Sequence, residues 1–249
     1  MMIWDMAQYA NPGRHEENQD TIRVTETDTR VIACICDGLG GMGSGKDASL
    51  FCAEAVIDIL EESCGVPDEH GFSNTVLKVH KALLALKQEN PALKQARSTV
   101  AAIAVENDKL VWANVGDTRL YLFRGMDIER CSVDHSAAYI EYEHGALTYG
   151  GIRMADTRGV LTACLGDERD FEPYTGEAQL LPGDGLLLCT DGFWQYVLET
   201  EMGADLCKSE TAQQWLSLML NRLVGRSMLD GDNLTAFALR IKEDEPNGY

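Results

Sequence analysis

The sequence predicts an α+β protein in which antiparallel sheets are covered by helices. Strand-like and helix-like segments come in blocks rather than in strict β-α-β alternation, and such blocks favour antiparallel sheets. No internal repeat, low-complexity tract or Pro/Ser-rich linker divides the 249 residues, a length that suits one large mixed domain. We therefore expect a single domain over residues 1–241 and a frayed polar tail over residues 242–249.

The first part of the chain is predicted to supply two strands and two helices. Residues 21–25 are strand-like, and residues 31–36 form an almost unbroken apolar run, as strands buried on both faces do. Residues 46–63 and 72–87 place apolar side chains at the i, i+3, i+4, i+7 spacing of an amphipathic helix. A proline-containing turn ends the second helix, so two helices follow one another without an intervening strand.

The rest of the chain adds strands, an irregular stretch and two more helices. Residues 99–105, 110–115 and 120–123 are apolar runs separated by polar turns, which predicts neighbouring antiparallel strands. Residues 134–159 are polar and are predicted to be irregular. The remaining predicted elements are strands at 160–165, 186–190 and 234–241 and helices at 199–207 and 212–224.

Charge and cysteine content limit the possible partners. Forty acidic residues against 21 basic ones give a net charge of −19, which disfavours nucleic-acid backbones and anionic membranes. No apolar run approaches the ~18 residues of a membrane span, and the N-terminus holds no signal-peptide core. The eight cysteines form no CxxC pair and lie mostly in apolar runs, as reduced core residues do. We expect a cytoplasmic protein that binds neither nucleic acid nor membranes.

The glycine-rich loop at residues 37–47 resembles two nucleotide-binding motifs and satisfies neither. It contains the GxGxxG spacing, but that motif requires a β-α-β unit, and here the first helix is followed by a second. Gly40 to Lys46 fits the GxxxxGK loop, but Asp47 replaces the hydroxyl that this loop needs for magnesium. A plain turn is the remaining alternative, and it does not explain the acid that ends the preceding strand.

Three aspartates stand where predicted strands meet turns. Asp37 and Asp191 each end an apolar strand and are followed by glycine, and Asp232 precedes the last strand. Carboxylates gathered at one edge of a sheet repel one another unless a cation neutralises them. Oxygen ligands without histidine or cysteine select Mg²⁺ or Mn²⁺ over zinc. One Asp-Gly pair alone indicates a turn, so it is the combination that predicts a metal site.

Short motifs spread over most of the chain carry a resemblance to a known family. In chain order they are Arg14 with Asn18-Gln19-Asp20, Asp37-Gly38-Leu39-Gly40-Gly41, Ser98-Thr99-Val100-Ala101, Ala113 to Arg119, Asp134-His135-Ser136, Leu161-Thr162 with Leu165-Gly166, Asp191-Gly192-Phe193-Trp194 and Asp232-Asn233-Leu234-Thr235. Together they resemble the PP2C-type (PPM) metal-dependent protein serine/threonine phosphatases, in the style of the bacterial members.

The resemblance implies an αββα four-layer sandwich of two mainly antiparallel sheets flanked by helices. It also implies two Mn²⁺ or Mg²⁺ ions at one end of the sheets. By analogy the expected metal ligands are Asp37 bridging both ions, the Gly38 carbonyl, Asp191, Asp232, Asp20 through coordinated water, and Asp117 at a third, weaker ion site.

The activity implied by the resemblance is hydrolysis of phosphoserine and phosphothreonine in proteins by a metal-bridged hydroxide. Arg14 would act with Asp37 as a catalytic residue and clamp the phosphate, which suits the forked donors of a guanidinium. The expected partners are phosphoprotein substrates, namely a serine/threonine kinase or its targets, and the expected state is a monomer.

Two departures from the family pattern and one variable segment bear on this activity. Gln19 replaces a glutamate, which leaves open the alternative of a catalytically weak pseudophosphatase that binds phosphoproteins as a regulator. Leu39 stands where some members carry a histidine proposed as general acid, so that role is unassigned. Residues 137–159 align with the family's variable flap, and their glycines predict a mobile segment that sets substrate choice.

Overall fold

The computed structural model describes residues 2–41, 43–226 and 231–243 and confirms the α+β prediction. The strands are β1 (Met2–Asn11), β2 (Thr21–Glu26), β3 (Arg30–Cys36), β4 (Gly38–Leu39), β5 (Arg97–Ser98), β6 (Val100–Glu106), β7 (Lys109–Val115), β8 (Arg119–Arg124), β9 (Asp127–Cys131), β10 (Tyr174–Gln179), β11 (Gly185–Cys189) and β12 (Leu234–Glu243). The α-helices are α1 (Ser44–Glu61), α2 (Glu69–Glu89), α3 (Ala137–Glu143), α4 (Asp191–Trp194), α5 (Glu199–Lys208) and α6 (Ala212–Gly225), and 3-10 helices cover Pro91–Leu93 and Tyr149–Met154.

Two antiparallel sheets pack face to face. The first has the strand order β1-β12-β11-β8-β9, and the second has the order β10-β7-β6-β3-β2. β4 and β5 pair as a separate short ribbon. The helices α1 and α2 cover the outer face of the second sheet, while α4, α5 and α6 cover the outer face of the first. The expected αββα sandwich is therefore confirmed.

β3 shows how this architecture produces an unbroken apolar run. Its residues Val31, Ala33 and Ile35 face the core between the two sheets. The alternate residues Ile32, Cys34 and Cys36 face α1 and α2. All of these side chains are at most 2% exposed. Because successive strand residues point to opposite faces, a strand covered on both sides has no polar face.

α1 and α2 begin at residues that fix their direction. The Asp68 carboxylate caps α2 by accepting a hydrogen bond from the Gly71 N–H at 2.8 Å. α1 begins at Ser44, two residues earlier than predicted, after Gly43 adopts a left-handed conformation with φ 85°. The glycine loop therefore runs directly into α1. Across the described ranges, no helix is both long and apolar enough to cross a membrane.

The predicted three-stranded meander is wrong in its third strand. β6 and β7 pair as predicted, but β8 leaves the second sheet and pairs with β11 and β9 in the first. The chain crosses between sheets at residues 116–118, where Gly116 has a φ of 95°. A side chain at Gly116 would also collide with Thr99, so glycine is required at this crossing.

Two further segments differ from the prediction. Residues 134–159 are not irregular, because they contain α3 and the 3-10 helix Tyr149–Met154. Residues 160–165 form no strand and make only isolated bridges, in which Leu161 pairs with Ser136 and Leu165 with Ser98. At the C-terminus β12 continues to Glu243, two residues into the predicted tail. Residues 244–249 of that tail lie outside the described residues.

Candidate metal centre

Asp37 is fixed through its backbone at the end of β3. Its N–H donates to the Thr99 hydroxyl at 2.9 Å, and its carbonyl accepts from the Thr99 N–H at 2.9 Å. The Ser98 hydroxyl donates to the same carbonyl at 3.1 Å. The Thr99 hydroxyl also lies 2.6 Å from that of Thr118, which belongs to the crossing between the sheets. The backbone that carries the Asp37 carboxylate is therefore fixed by residues 98 and 99 and, through them, by the crossing between the sheets.

Gly38 and Gly45 let three backbone segments meet beside Asp37. A Cβ on Gly38 would overlap the Gly45 carbonyl and lie 2.7 Å from the Gln19 carbonyl. A Cβ on Gly45 would in turn lie 2.8 Å from the Gly38 carbonyl oxygen, so glycine leaves that oxygen accessible. This close approach joins the first turn of α1 to the residues before β2. Asp20 is thereby brought next to Asp37.

The change Gly38→Ala is expected to lower the free energy of unfolding by about 3 kcal/mol, because the added methyl forces backbone segments apart. It is also expected to lower metal affinity, since the same segments carry Asp20 and Asp37. Urea unfolding with and without Mn²⁺ measures both effects. Gly41→Ala is the matched control, because a Cβ there meets no atom of the described residues within 4 Å. Equal stability of the two variants would contradict the packing described here.

Asp191 and Asp232 are brought together by Gly192 and Asn233. Asp191 is the first residue of α4, and a Cβ on Gly192 would overlap the Asn233 carbonyl. The Asn233 side chain accepts from the Gln19 N–H at 2.7 Å and donates to the Pro12 carbonyl at 2.9 Å. The loop before β12 is thus tied to the loop before β2.

Burial and mutual repulsion raise the pKa of four carboxyls in this cluster. Burial raises the pKa of Asp37 well above its usual range, and the charges of Asp20 and Asp191 add to that effect. Burial raises the pKa of Asp20 to about 7 and that of Asp191 to about 6, with the nearby Asp232 charge contributing to both. Burial, followed by the Asp191 charge, also raises the pKa of Asp117 well above normal. Such a cluster ionises fully only beside positive charge.

The donor chemistry of the cluster fits a hard divalent cation. All side-chain donors are carboxylates, and the Asp20 Oδ1 atom is buried with no hydrogen-bond partner in the described part of the chain. Within residues 2–41, 43–226 and 231–243, no group of three or more His, Cys, Asp or Glu side chains is arranged closely enough to hold a metal ion without further ligands. A bound ion would therefore need the Gly38 carbonyl and water as further ligands, which suits Mg²⁺ and Mn²⁺.

Asp117 is held by a buried aromatic and cationic stack. The Trp194 indole N–H donates to the Asp117 carbonyl at 2.8 Å. The Arg119 guanidinium lies 3.6 Å from the centre of the Trp194 ring. Asp134 accepts two hydrogen bonds from that guanidinium, at 2.9 and 2.6 Å. The sequence analysis noted these residues only as motif letters and did not predict this support.

Arg14 lies beside the loop that carries Asp232. Its N–H donates to the Gly231 carbonyl at 3.1 Å, and its side chain is exposed. The adjacent His15 was missed by the sequence analysis, although its Nε2 atom lies 3.2 Å from Asp232 Oδ1. Gln195 was also missed, and its amide donates to Asp191 Oδ2 at 2.7 Å. Only proximity in sequence to Arg14 and Asp191 could have indicated either residue.

Comparison with known proteins identifies a family and several relatives. The family model described as "Protein phosphatase 2C" matches residues 9–231. The serine/threonine phosphatase stp of Listeria monocytogenes serotype 4b (strain F2365) is 27% identical over 227 residues, which cover 89% of this chain and 89% of that protein. Protein phosphatase PhpP of Streptococcus pneumoniae serotype 2 is 23% identical over 177 residues, or 70% and 71% of the two chains.

Solved structures share the fold. The serine/threonine phosphatase Stp1 of Staphylococcus aureus superimposes with a TM-score of 0.85 at 24% identity, covering 97% of this chain and 96% of that one. The catalytic domain of the phosphatase PstP, solved with two manganese ions, has a TM-score of 0.82 at 21% identity and coverage of 98% and 100%. With the family model matching residues 9–231, the chain belongs to the protein phosphatase 2C family.

Proposed function

We propose that this protein removes phosphate from phosphoserine and phosphothreonine in other proteins, with the help of divalent metal ions. The observation that supports this most directly is the cluster of Asp20, Asp37, Asp117 and Asp191, whose carboxyl pKa values are raised by burial and by one another. Buried carboxylates that repel one another destabilise a fold unless bound cations offset their charge, so this cluster favours metal binding. The phosphatase domain is proposed to comprise residues 1–241.

Each acid has a proposed task in holding two ions. Asp37 would contact both ions, and the Gly38 carbonyl would serve as a further ligand because Gly45 leaves it accessible. Asp191 and Asp232 would complete the centre from the opposite loops. Bound divalent cations supply a nucleophile by lowering the pKa of water, and they neutralise phosphate charge. Asp20 would act through water, using its unpartnered Oδ1 atom.

Two other residues are proposed to assist beyond the paired ions. Asp117 would serve a third, weaker ion site, since it is only 5% exposed and its charge adds to the cluster. Arg14 would clamp the phosphate of the substrate, because it is exposed beside the Asp232 loop and a guanidinium binds phosphate through two parallel hydrogen bonds.

The ion, the partner and the compartment are proposed on chemical grounds. Manganese or magnesium fits a site of oxygen donors, and the related fold of PstP was solved with manganese. The partner is proposed to be a serine/threonine kinase or its phosphorylated targets, acted on by a monomer. All eight cysteines are free thiols, which fits a reducing compartment such as the cytoplasm.

Turnover of a phosphothreonine peptide with Mn²⁺ is expected to stop when excess chelator is added and to return when Mn²⁺ is restored. Arg14→Ala is expected to raise KM about tenfold with a smaller change in kcat, because phosphate binding loses its clamp. The control Arg23→Ala removes an exposed arginine that pairs with Glu54 at 3.0 Å and is expected to change neither constant. Chelator-resistant turnover would contradict metal dependence. If the protein bound the peptide but did not hydrolyse it with any divalent metal, the result would indicate a regulatory phosphoprotein-binding role instead of catalysis.

A further inference from the structure

A groove of about 600 Å³ lies outside the carboxylate cluster. Its walls are the C-terminal end of α2, the segment around the 3-10 helix Pro91–Leu93, and residues 166–168. Three cationic side chains line it, namely Lys87, Lys94 and Arg97. Two acids, Asp167 and Glu168, also line it, so its walls carry three cations against two acids in a chain whose net charge is −19.

The groove is joined to Asp37 by the ribbon of β4 and β5. Arg97 lies opposite Leu39 in this ribbon, and Ser98 lies opposite Gly38. The Ser98 hydroxyl also donates to the Asp37 carbonyl at 3.1 Å. Leu39 is two residues from Asp37, about 7 Å along a strand, and the lining residue Arg97 is its partner across the ribbon, so the Arg97 wall begins on the order of 8 Å from Asp37 between Cα atoms. An extended peptide of two to four residues spans that distance.

The wall at Gly166 is closely packed and hydrogen-bonded. Gly166 has a φ of 80°, and a Cβ there would lie 2.8 Å from the Leu83 side chain and 2.9 Å from the Ala96 carbonyl. The Gly166 N–H donates to His80 Nδ1 at 3.2 Å, and its carbonyl accepts from the Lys87 ammonium. A preformed wall of this kind lowers the entropy cost of binding a partner.

The positive charge of the groove is only partly neutralised by the protein itself. Of the two acids in the walls, Asp167 is engaged by Arg169 at 2.6 Å, and this hydrogen bond lowers the pKa of Asp167 to about 2. Glu168, the other acid, is exposed. Arg97 is 3.8 Å from Asp167, and its buried Nε atom has no acceptor among the described residues. The pKa of the Lys87 amine is lowered by burial and then by the nearby Arg97 charge. The Lys94 side chain is exposed at the rim.

We propose that this groove binds acidic residues that lie two to four positions from the phosphorylated residue of a protein substrate. The proposal rests on the phosphatase function proposed above and gives that site a substrate preference. Charge complementarity favours an acidic occupant, because Lys94 and Arg97 place cations beside the path of a substrate peptide that extends from the metal centre into the groove. Elsewhere the protein's net negative charge repels the same acidic segment.

Three substrates test this preference: a phosphothreonine peptide with acidic flanks, the same peptide with alanine flanks, and p-nitrophenyl phosphate. For the unmodified protein, kcat/KM is expected to be about tenfold higher for the acidic peptide than for the alanine peptide, and salt should reduce the difference. Lys94→Glu is expected to lower kcat/KM for the acidic peptide about tenfold through KM, with the other two substrates unchanged. The control Lys208→Glu makes the same charge change at the exposed end of α5 and should alter nothing.

The outcomes separate the groove from the phosphatase function. The proposed substrate preference would be overturned by equal kcat/KM for both peptides, or by an equal loss of kcat/KM for both in Lys94→Glu. Metal-dependent turnover in the same assays would still support the phosphatase function. If no substrate is hydrolysed, the phosphatase function fails, and anisotropy of the two labelled peptides still tests the groove. Tighter binding of the acidic peptide, weakened at least about threefold by Lys94→Glu, would support it. Equal affinity for both peptides would overturn it.

Discussion

Asp37→Asn is expected to lower kcat by at least about a thousandfold, a loss of roughly 4 kcal/mol of transition-state stabilisation. The charges of Asp20, Asp191 and Asp117 all raise the pKa of Asp37, so a cation shared by the cluster would be held by this carboxylate. Asparagine keeps the shape and removes the charge. In the metal-free protein the same change should preserve or increase stability, because it removes a repelling buried carboxylate.

The measurement pairs turnover with thermal unfolding in chelator and in excess Mn²⁺. The unmodified protein should gain stability on adding Mn²⁺, and Asp37→Asn should gain much less, because ligand binding stabilises only the state that binds. Asp58→Asn, an equivalent change at an exposed position of α1, is the matched control and should behave as the unmodified protein. Full activity of Asp37→Asn would refute the proposed metal centre.

Arg119→Met is expected to lower the free energy of unfolding by about 4 kcal/mol, because it leaves the buried carboxylate of Asp134 without its counterion. Asp134 is 4% exposed and Arg119 is 1% exposed, so water cannot replace the lost hydrogen bonds. Glu199 does not lose its counterion, since Arg153 lies 2.5 Å away. Trp194 loses its stacked guanidinium, and the Asp117 carbonyl that it holds should become less well ordered.

A double-mutant cycle in urea distinguishes this ion pair from simple loss of packing. Arg119→Met combined with Asp134→Asn should be more stable than Arg119→Met alone, because no uncompensated buried charge remains. Arg23→Met is the control, since its pairing with Glu54 is solvent-exposed and should cost less than about 1 kcal/mol. A cost for the double variant equal to the sum of its single changes would contradict coupling between Arg119 and Asp134.

The inner strands could be predicted from sequence, and most of the edge strands could not. β3, β6, β11 and β12 are central in their sheets and were predicted from apolar runs. Five strands escaped prediction: β1, β9 and β10 each lie at the edge of a large sheet, and β4 and β5 form the separate short ribbon. In β9, residues 127–130 are exposed, so the apolar contrast that marks a strand is absent. The apolar pattern of a segment indicates how deeply it is buried. Edge strands are less buried and form through pairing with a partner distant in sequence, so this pattern does not mark them.

The placement of β8 shows a second limit. Its apolar run predicted a strand, but nothing in that run indicates which sheet it joins. The chain changes direction at Gly116, whose positive φ turns it from β7 towards β11. A short connection favours pairing between consecutive strands such as β7 and β8. Here β8 instead joins the first sheet, which covers the other side of the core between the sheets.

Much of the candidate site was accessible from sequence because its acids stand at strand ends. Asp37, Asp191 and Asp232 were selected on that basis, and the structure places their charges within reach of one another. His15 and Gln195 could not be selected, because their contacts with Asp232 and Asp191 depend on how loops fold over the centre. Side-chain contacts of this kind leave no periodic pattern in the sequence.

The hydrogen bond from the Gln19 N–H to Asn233 joins residues 214 positions apart, and the one from Thr190 to Asp20 spans 170 positions. The closure entropy of such distant contacts must be met before they contribute stability, so we expect them to form late in folding, together with the sheets that they connect. On this expectation the centre assembles only as the sheets form. The free energy of assembling four repelling carboxylates is supplied by the cooperative folding of both sheets, and Mn²⁺ uptake can serve as a kinetic marker for the last step of refolding.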